Sequence, residues 1–220
     1  MTVLAPLHFA DAREAAALAA FLGRLVHYDR AAAVRLQAGG GALAVFGRPP
    51  SFEVLAIRTA RLVDAVDLDV TVSAGELLEG IEESAGKAVV PESVTGPPWA
   101  GVLPPRAGWE PVAGLPSAAE MRGAVAAAVA EFRARDEELP EEQRTRTERD
   151  RIGREIWSRT LGTTGLPLRA VHAAQSLGFL PPVPDAPVAL FASGPWLRLR
   201  TPYGSIALRT APMSLVVTPG

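Results

Sequence analysis

Apolar and polar residues alternate from Trp196 to Arg209 on both sides of a Pro202-Tyr203-Gly204 turn, the two-residue period of half-buried strands. The stretch predicts a β-hairpin. Pro202 suits the second position of a type I turn, and Gly204 the fourth or a following left-handed position. Val34 to Val45 echoes the pattern around Gly39-Gly40-Gly41. Slid by 163 residues, Arg35 falls on Arg198, Leu36 on Leu199, Gly41 on Gly204 and Ala44 on Ala207. Val34, Leu43 and Val45 then meet Leu197, Ile206 and Leu208. The expected architecture is α+β: two lobes, each with a helix followed by antiparallel hairpins, the second lobe helical and then winged-helix-like.

Helical periodicity fills the space between the strands. Asp11 with Glu14 is a helix-start signature, and Leu18, Phe21, Leu22 and Leu25 carry an apolar stripe to about His27. Strands are predicted over Val3–Phe9, Phe52–Arg58 and Asp67–Val72, and Ser73 with Glu76 opens a second helix. Ser117 with Glu120 starts the best-patterned helix, residues 117 to 136, along Met121, Val125, Ala128, Val129 and Phe132. Pro140 suits the first turn of a further, mostly charged helix to about Leu161. Glu142–Arg146, Asp150–Arg154 and Glu155–Arg159 lie four apart on it. Pro167 to Leu177 predicts a short helix stopped by Gly178. Strands follow at Val188–Phe191 and Leu215–Val217.

Residues 89 to 116 break the pattern. Pro97-Pro98-Trp99 and Pro104-Pro105 exclude a regular helix or central strand. Aromatics and valines also argue against a free linker. The segment divides an α+β lobe (1–88) from a helical lobe ending in strands (117–220). It reads either as a strap packed on both lobes or as a partner-facing loop exposing Trp99 and Trp109.

Charge and composition narrow the picture. The net charge of −2 gives no overall attraction to polyanions. From Arg144 onward, ten arginines against four acids (Glu148, Asp150, Glu155, Asp185) give a local balance of +6, so residues 1–143 carry −8. Either a basic side faces a polyanion or the two halves attract each other. Lys87 is the only lysine, a codon-bias pattern of GC-rich genomes, so arginine abundance is not by itself functional. Without cysteine there is no disulfide, thiolate metal site or cysteine nucleophile. The N-terminus lacks a signal-peptide pattern and no apolar run spans a bilayer, so a soluble cytoplasmic protein is expected.

No catalytic motif emerges, and neither cofactor nor metal is expected. Gly39-Gly40-Gly41 lies between strands, whereas a phosphate loop leads from strand to helix. His8, His27 and His172 are isolated, without metal-ligand spacing. One dense polar cluster, His27-Tyr28-Asp29-Arg30, follows the first helix and, with Arg48, is a candidate small-anion site or enzyme centre. Its alternative is ordinary helix termination. In the second lobe, the element order matches a winged helix. The 167–178 helix would offer Arg169, His172, Gln175 and Ser176 to bases. The 196–209 hairpin would offer Arg198, Arg200 and Arg209 to phosphates.

The stretches Phe46-Gly47-Arg48-Pro49-Pro50, Gly96 to Pro105 and Leu199 to Ile206 resemble segments of an uncharacterised protein family of high-GC actinobacteria. The resemblance implies a bacterial cytoplasmic protein and no particular chemistry. The leading expectation is a non-enzymatic regulatory or protein-interaction protein, with Trp99, Trp109, Arg198, Arg200 and Arg209 as its partner-binding surface. Nucleic-acid binding by the winged-helix-like elements is the alternative, and a small-anion binder or enzyme at His27–Arg30 is the third. A protein partner is expected, its identity and the oligomeric state open.

Overall fold

The computed structural model describes residues 6–96, 99, 103–183 and 186–210. Local signals set most helix starts. Asp11 caps α1 (Ala12–Tyr28), accepting from the backbone N–H groups of Arg13 and Glu14. Ser73 caps α2 (Ala74–Glu79), and Ser117 with Glu120 closes a reciprocal capping box on α3 (Ala118–Glu138). Each satisfies donors that a helix end otherwise leaves unpaired.

The helix expected from Pro140 is interrupted. A 3-10 turn at Glu141–Gln143 ends at Arg144, and Thr145 caps a separate helix α4 (Arg146–Trp157). Arg144 donates to the carbonyls of Glu137 and Leu139, folding the chain back over the end of α3. Of the three expected pairs, only Glu155–Arg159 forms, at 3.7 Å. The charges of α4 reach instead across to α3. Arg135 grips Glu155 through two bonds of 2.8 and 2.9 Å, Arg149 donates to Asp136 at 2.7 Å, and Arg159 holds Glu131. These guanidinium groups hold the Glu131 and Glu155 carboxyls below the usual carboxylate range. Arg149 and Arg159 of the second half are thus paired with carboxylates of α3. α5 (Leu168–Ser176) follows.

The strands form one antiparallel sheet through both lobes. β2 (Ala33–Gly39), β3 (Ala42–Gly47), β4 (Leu55–Arg61) and β5 (Leu68–Ser73) belong to the first lobe. β8 (Glu110–Val112), β9 (Ala189–Ser193), β10 (Trp196–Thr201) and β11 (Gly204–Arg209) belong to the second. Their order is β5-β2-β3-β4-β11-β10-β9-β8. A small sheet of β1 (Leu7–His8), β6 (Ile81–Glu82) and β7 (Lys87–Ala88) lies beside α1. The strand expected at Leu215–Val217 lies outside the described residues.

All five α-helices contribute to one core on one face of the large sheet, where Val34, Leu36, Val45, Leu197, Leu199 and Ile206 point. Alternation along each strand sends the other residues to the opposite, outer face. There Phe46, Leu55 and Ile57 of the first lobe and Trp196 and Ala207 of the second form a smaller cluster. Trp99 completes it, only 6% exposed, with Leu103 and Trp109 packed alongside. The strap enters beside β5, where Ser93 bridges Val72 and Val94 N–H donates to Thr71, and leaves as β8 at the far edge. Trp99 is therefore a core residue of the outer face and offers no ring to a partner.

The two lobes meet at the β4–β11 pairing, with Ile57 opposite Ser205 and Ala56 opposite Ile206. Arg58 bolts this seam on the helix side. Its Nη1 donates to the Tyr203 carbonyl at 2.6 Å, and its Nη2 lies 3.6 Å from the Glu14 carboxylate of α1. Burial pushes the Arg58 pKa down, and Glu14 opposes that shift. Beside it Phe179 packs on Phe21 at 5.4 Å and covers Gly204. A Cβ on Gly204 would come within 2.6 Å of the Phe179 ring. Here glycine is required by close approach as well as by its positive φ.

Both hairpins are paired ribbons, and Arg35 and Arg198 occupy equivalent outer-face places on β2 and β10. The return strands differ in register. Leu36 faces Val45, whereas Leu199 faces Ile206, two residues short of the Leu208 that the sequence alignment assigns. A shift of two keeps every side chain on its face, which is why the pattern survives in the sequence. Gly41 and Gly204 are consequently not equivalent: one sits in its turn, the other begins β11.

Candidate functional site

The hairpin β10–β11 lies inside the sheet, between β4 and β9. It is no projecting wing, because both outer ladders are occupied. α5 buries Leu168, Ala170, Val171, Ala173 and Ala174. On its other side Arg169 lies 3.6 Å from Glu53, and His172 is stacked on Trp157 at 4.4 Å. Of the four residues expected to read bases, only Gln175 is well exposed, with Ser176 half-buried. The winged-helix likeness ends at element order: the helix face that would enter a groove is covered by the 51–53 loop and α4.

His27, Tyr28, Arg30 and Arg48 are exposed, and no described cavity joins the His27–Arg30 cluster to Arg48. The expected anion site is therefore not assembled. Capping explains part of the cluster's polarity: Asp29 ends α1 and accepts from Ala31 N–H. Among the described residues, no group of three or more His, Cys, Asp or Glu is placed to hold a metal, and no helix is long and apolar enough to cross a membrane.

Two places remain. The first is a groove of about 640 Å³ on the outer face, walled by Val188, Ala189 and Phe191 and floored by Arg198, Arg200 and Ser205. The Arg198 guanidinium lies 5.8 Å from the centre of the Trp109 ring, which is fixed by an Nε1 bond to the Pro105 carbonyl. Burial, and secondarily the Arg200 charge, push the Arg198 pKa down. Its Nε is buried without a hydrogen-bond partner, and among the described residues no carboxylate pairs with Arg198, Arg200 or Arg209. Arg209 sits over Trp196 at 5.8 Å. Three of the expected arginines thus share one face, with Trp109 beneath one of them.

The second place lies where the lobes meet on the helix side. A cavity of about 530 Å³ opens between the 51–53 loop, α3, α4 and α5. Its wall carries an aromatic row in which Phe52 meets His172 at 5.2 Å and His172 stacks on Trp157, while Tyr28 packs on Phe52 at 5.9 Å from outside the cavity. Ser51 and Glu53, on either side of Phe52, have φ of 68° and 53°, conformations that non-glycine residues rarely hold. Burial pushes the His172 pKa down, favouring the neutral ring. Sequence reading missed Phe52 and Trp157. The strand expected over Phe52–Arg58 begins instead at Leu55, because the left-handed Ser51 and Glu53 cannot continue a ladder.

Comparison with solved structures finds the crystal structure of a DNA polymerase sliding clamp from Pseudomonas aeruginosa. The TM-score is 0.50 at 12% identity, over 98% of this chain and 68% of that one, a likeness of fold alone. Comparison with curated proteins gives no match. Residues 3–101 match a domain of unknown function, DUF8010. Residues 104–213, half of the chain, match a second, and the chain therefore belongs to the family described as a domain of unknown function, DUF8185.

Proposed function

We propose that this protein is a non-enzymatic regulatory or interaction protein that docks an acidic segment of a partner protein on its outer sheet face. The observation that carries the reading is the Arg198–Arg200 pair beside an apolar groove, without a carboxylate partner among the described residues. Arg198, partly desolvated beside the exposed Arg200, gains most from an incoming carboxylate, through charge-assisted bidentate bonds. Val188 and Phe191 supply the apolar contact that fixes an anchor side chain. Trp109 holds Arg198 in place before the partner arrives, so less freedom is lost on docking. The similar solved structure is that of a DNA polymerase sliding clamp, and the likeness supports the reading only at the level of fold.

Cross-linking and mass spectrometry with the wild type, the Arg198→Glu/Arg200→Glu variant and the Arg35→Glu variant tests the proposal. A protein partner kept by the wild type and Arg35→Glu and lost by the double variant is expected. Identical partner sets for all three would refute it. A salt-sensitive shift of duplex DNA, abolished by the same double variant, would make nucleic acid the partner instead.

A further inference from the structure

We infer that the cavity at the lobe junction is a binding site for a small planar aromatic or heteroaromatic anion, separate from the outer face. Its volume of about 530 Å³ lies within the range that holds small molecules. Its walls are π surfaces: Phe52 from the first lobe, Phe132 from α3, Trp157 from α4 and His172 from α5. Four rings from four elements converge on one space, and flat ligands stack against such rings best. Burial of His172 favours its neutral ring, and its stack on Trp157 sets the plane of that ring in the wall.

The charges at the rim select an anion. Arg149 is tied to Asp136, and Asp150 lies 3.8 Å from Arg146. Arg154 faces the cavity with no carboxylate paired to it among the described residues. Arg169 has only the exposed Glu53, at 3.6 Å, and its Nε is buried without a hydrogen-bond partner. An aromatic carboxylate, sulfonate or phosphate would therefore meet two under-used guanidinium groups while its ring lies against the aromatic wall.

Two further features belong to a site kept open. Gly153 lies on α4 one turn before Trp157. A Cβ there would sit 3.6 Å from both the Phe132 and Trp157 rings, so glycine leaves the space between them clear. Ser51 and Glu53 hold their left-handed conformations on either side of Phe52, a cost that persists only where the surroundings enforce it. The strain presents Phe52 to the cavity and stations Glu53 beside Arg169.

The test is calorimetric titration of the full chain with naphthalene-1-sulfonate, naphthalene-1-methanol and inorganic phosphate. Saturable one-to-one binding of the sulfonate is expected, with the neutral alcohol and phosphate at least tenfold weaker. Gly153→Leu, which fills the cavity, should weaken sulfonate binding at least tenfold. Arg154→Ala, an exposed-site change, should bring the sulfonate down to the level of the alcohol. The Arg198→Glu/Arg200→Glu variant should bind like the wild type, which separates this site from the proposed docking face. Absence of saturable binding to the wild type would overturn the inference, as would unchanged binding in Gly153→Leu or loss of binding in Arg198→Glu/Arg200→Glu. Equal affinity for alcohol and sulfonate would overturn the assignment of an anion.

Discussion

Arg35 and Arg198 stand at matching places on two similarly built hairpins, yet their surroundings differ. Arg35 pairs with Asp69 on the neighbouring strand, with Nε at 2.8 Å, and Gln37 shares that carboxylate. Arg198 has Trp109 beneath it, Arg200 beside it and a groove in front. One arginine is absorbed by its own sheet, and the other is left to interact. The pattern of strands is shared because both hairpins must bury one face against helices, whereas the outer faces carry no such common demand. The turns differ for a related reason. Ala42 begins the return strand of the first hairpin, where its side chain is exposed, while Gly204 begins the second, under the ring of Phe179.

The seam between the hairpins is the place to break this comparison. Trp99→Ala should cost about 3–5 kcal/mol in chemical denaturation, since the ring is buried against residues of both lobes. Trp109→Ala should cost clearly less, because Trp109 is only partly buried. Equal losses would mean that the strap does not distinguish the two. Gly204→Ala should destabilise by roughly 2–4 kcal/mol through overpacking against Phe179 and backbone strain. Gly39→Ala, with nothing within 4 Å of the added Cβ, should stay within about 1 kcal/mol.

Arg58→Met should cost about 1.5–3 kcal/mol, because it removes a charged donor from the Tyr203 carbonyl at the lobe junction. A two-step unfolding curve in this variant would sharpen the bipartite picture. Arg35→Ala should cost only about 0.2–1 kcal/mol, as for other partly exposed pairs. Arg198→Ala should leave stability unchanged or slightly improved while removing partner binding. The smallest effect concerns pH. His172 has a lowered pKa in the folded chain, so the unfolded state binds the proton first. Stability should therefore be full above about pH 6.5 and fall as the pH drops below it. His172→Phe should flatten that part of the profile. A profile unchanged by the substitution would refute the assignment of the response to His172.

Residue order along the chain was informative wherever one short segment contained the whole physical cause. Asp11, Ser73 and Ser117 each bond backbone groups two or three residues away, so three helix starts were legible. Alternation over β2, β3, β10 and β11 revealed both hairpins, because burial on one face imposes its period on the residues themselves. The candidate sites were legible only in part. Arg198, Arg200 and Arg209 alternate visibly on one face. Phe52, Phe132, Trp157 and His172 lie far apart in sequence, on a loop and three helices, and nothing local marks them as neighbours.

The sequence by itself thus determined the helix caps, the α+β composition of each lobe and the side of the sheet on which each hairpin residue lies. Tertiary structure alone decided that β4 and β11 pair to make one sheet. It also decided that Trp99 is buried on that sheet's outer face, and that His172 stacks on Trp157 in the wall of the junction cavity. Capping and alternation are satisfied within a few residues. Pairing of Ala56 with Ile206, and the bond from Arg58 to the Tyr203 carbonyl 145 residues away, depend on which buried surfaces fit together once both lobes exist.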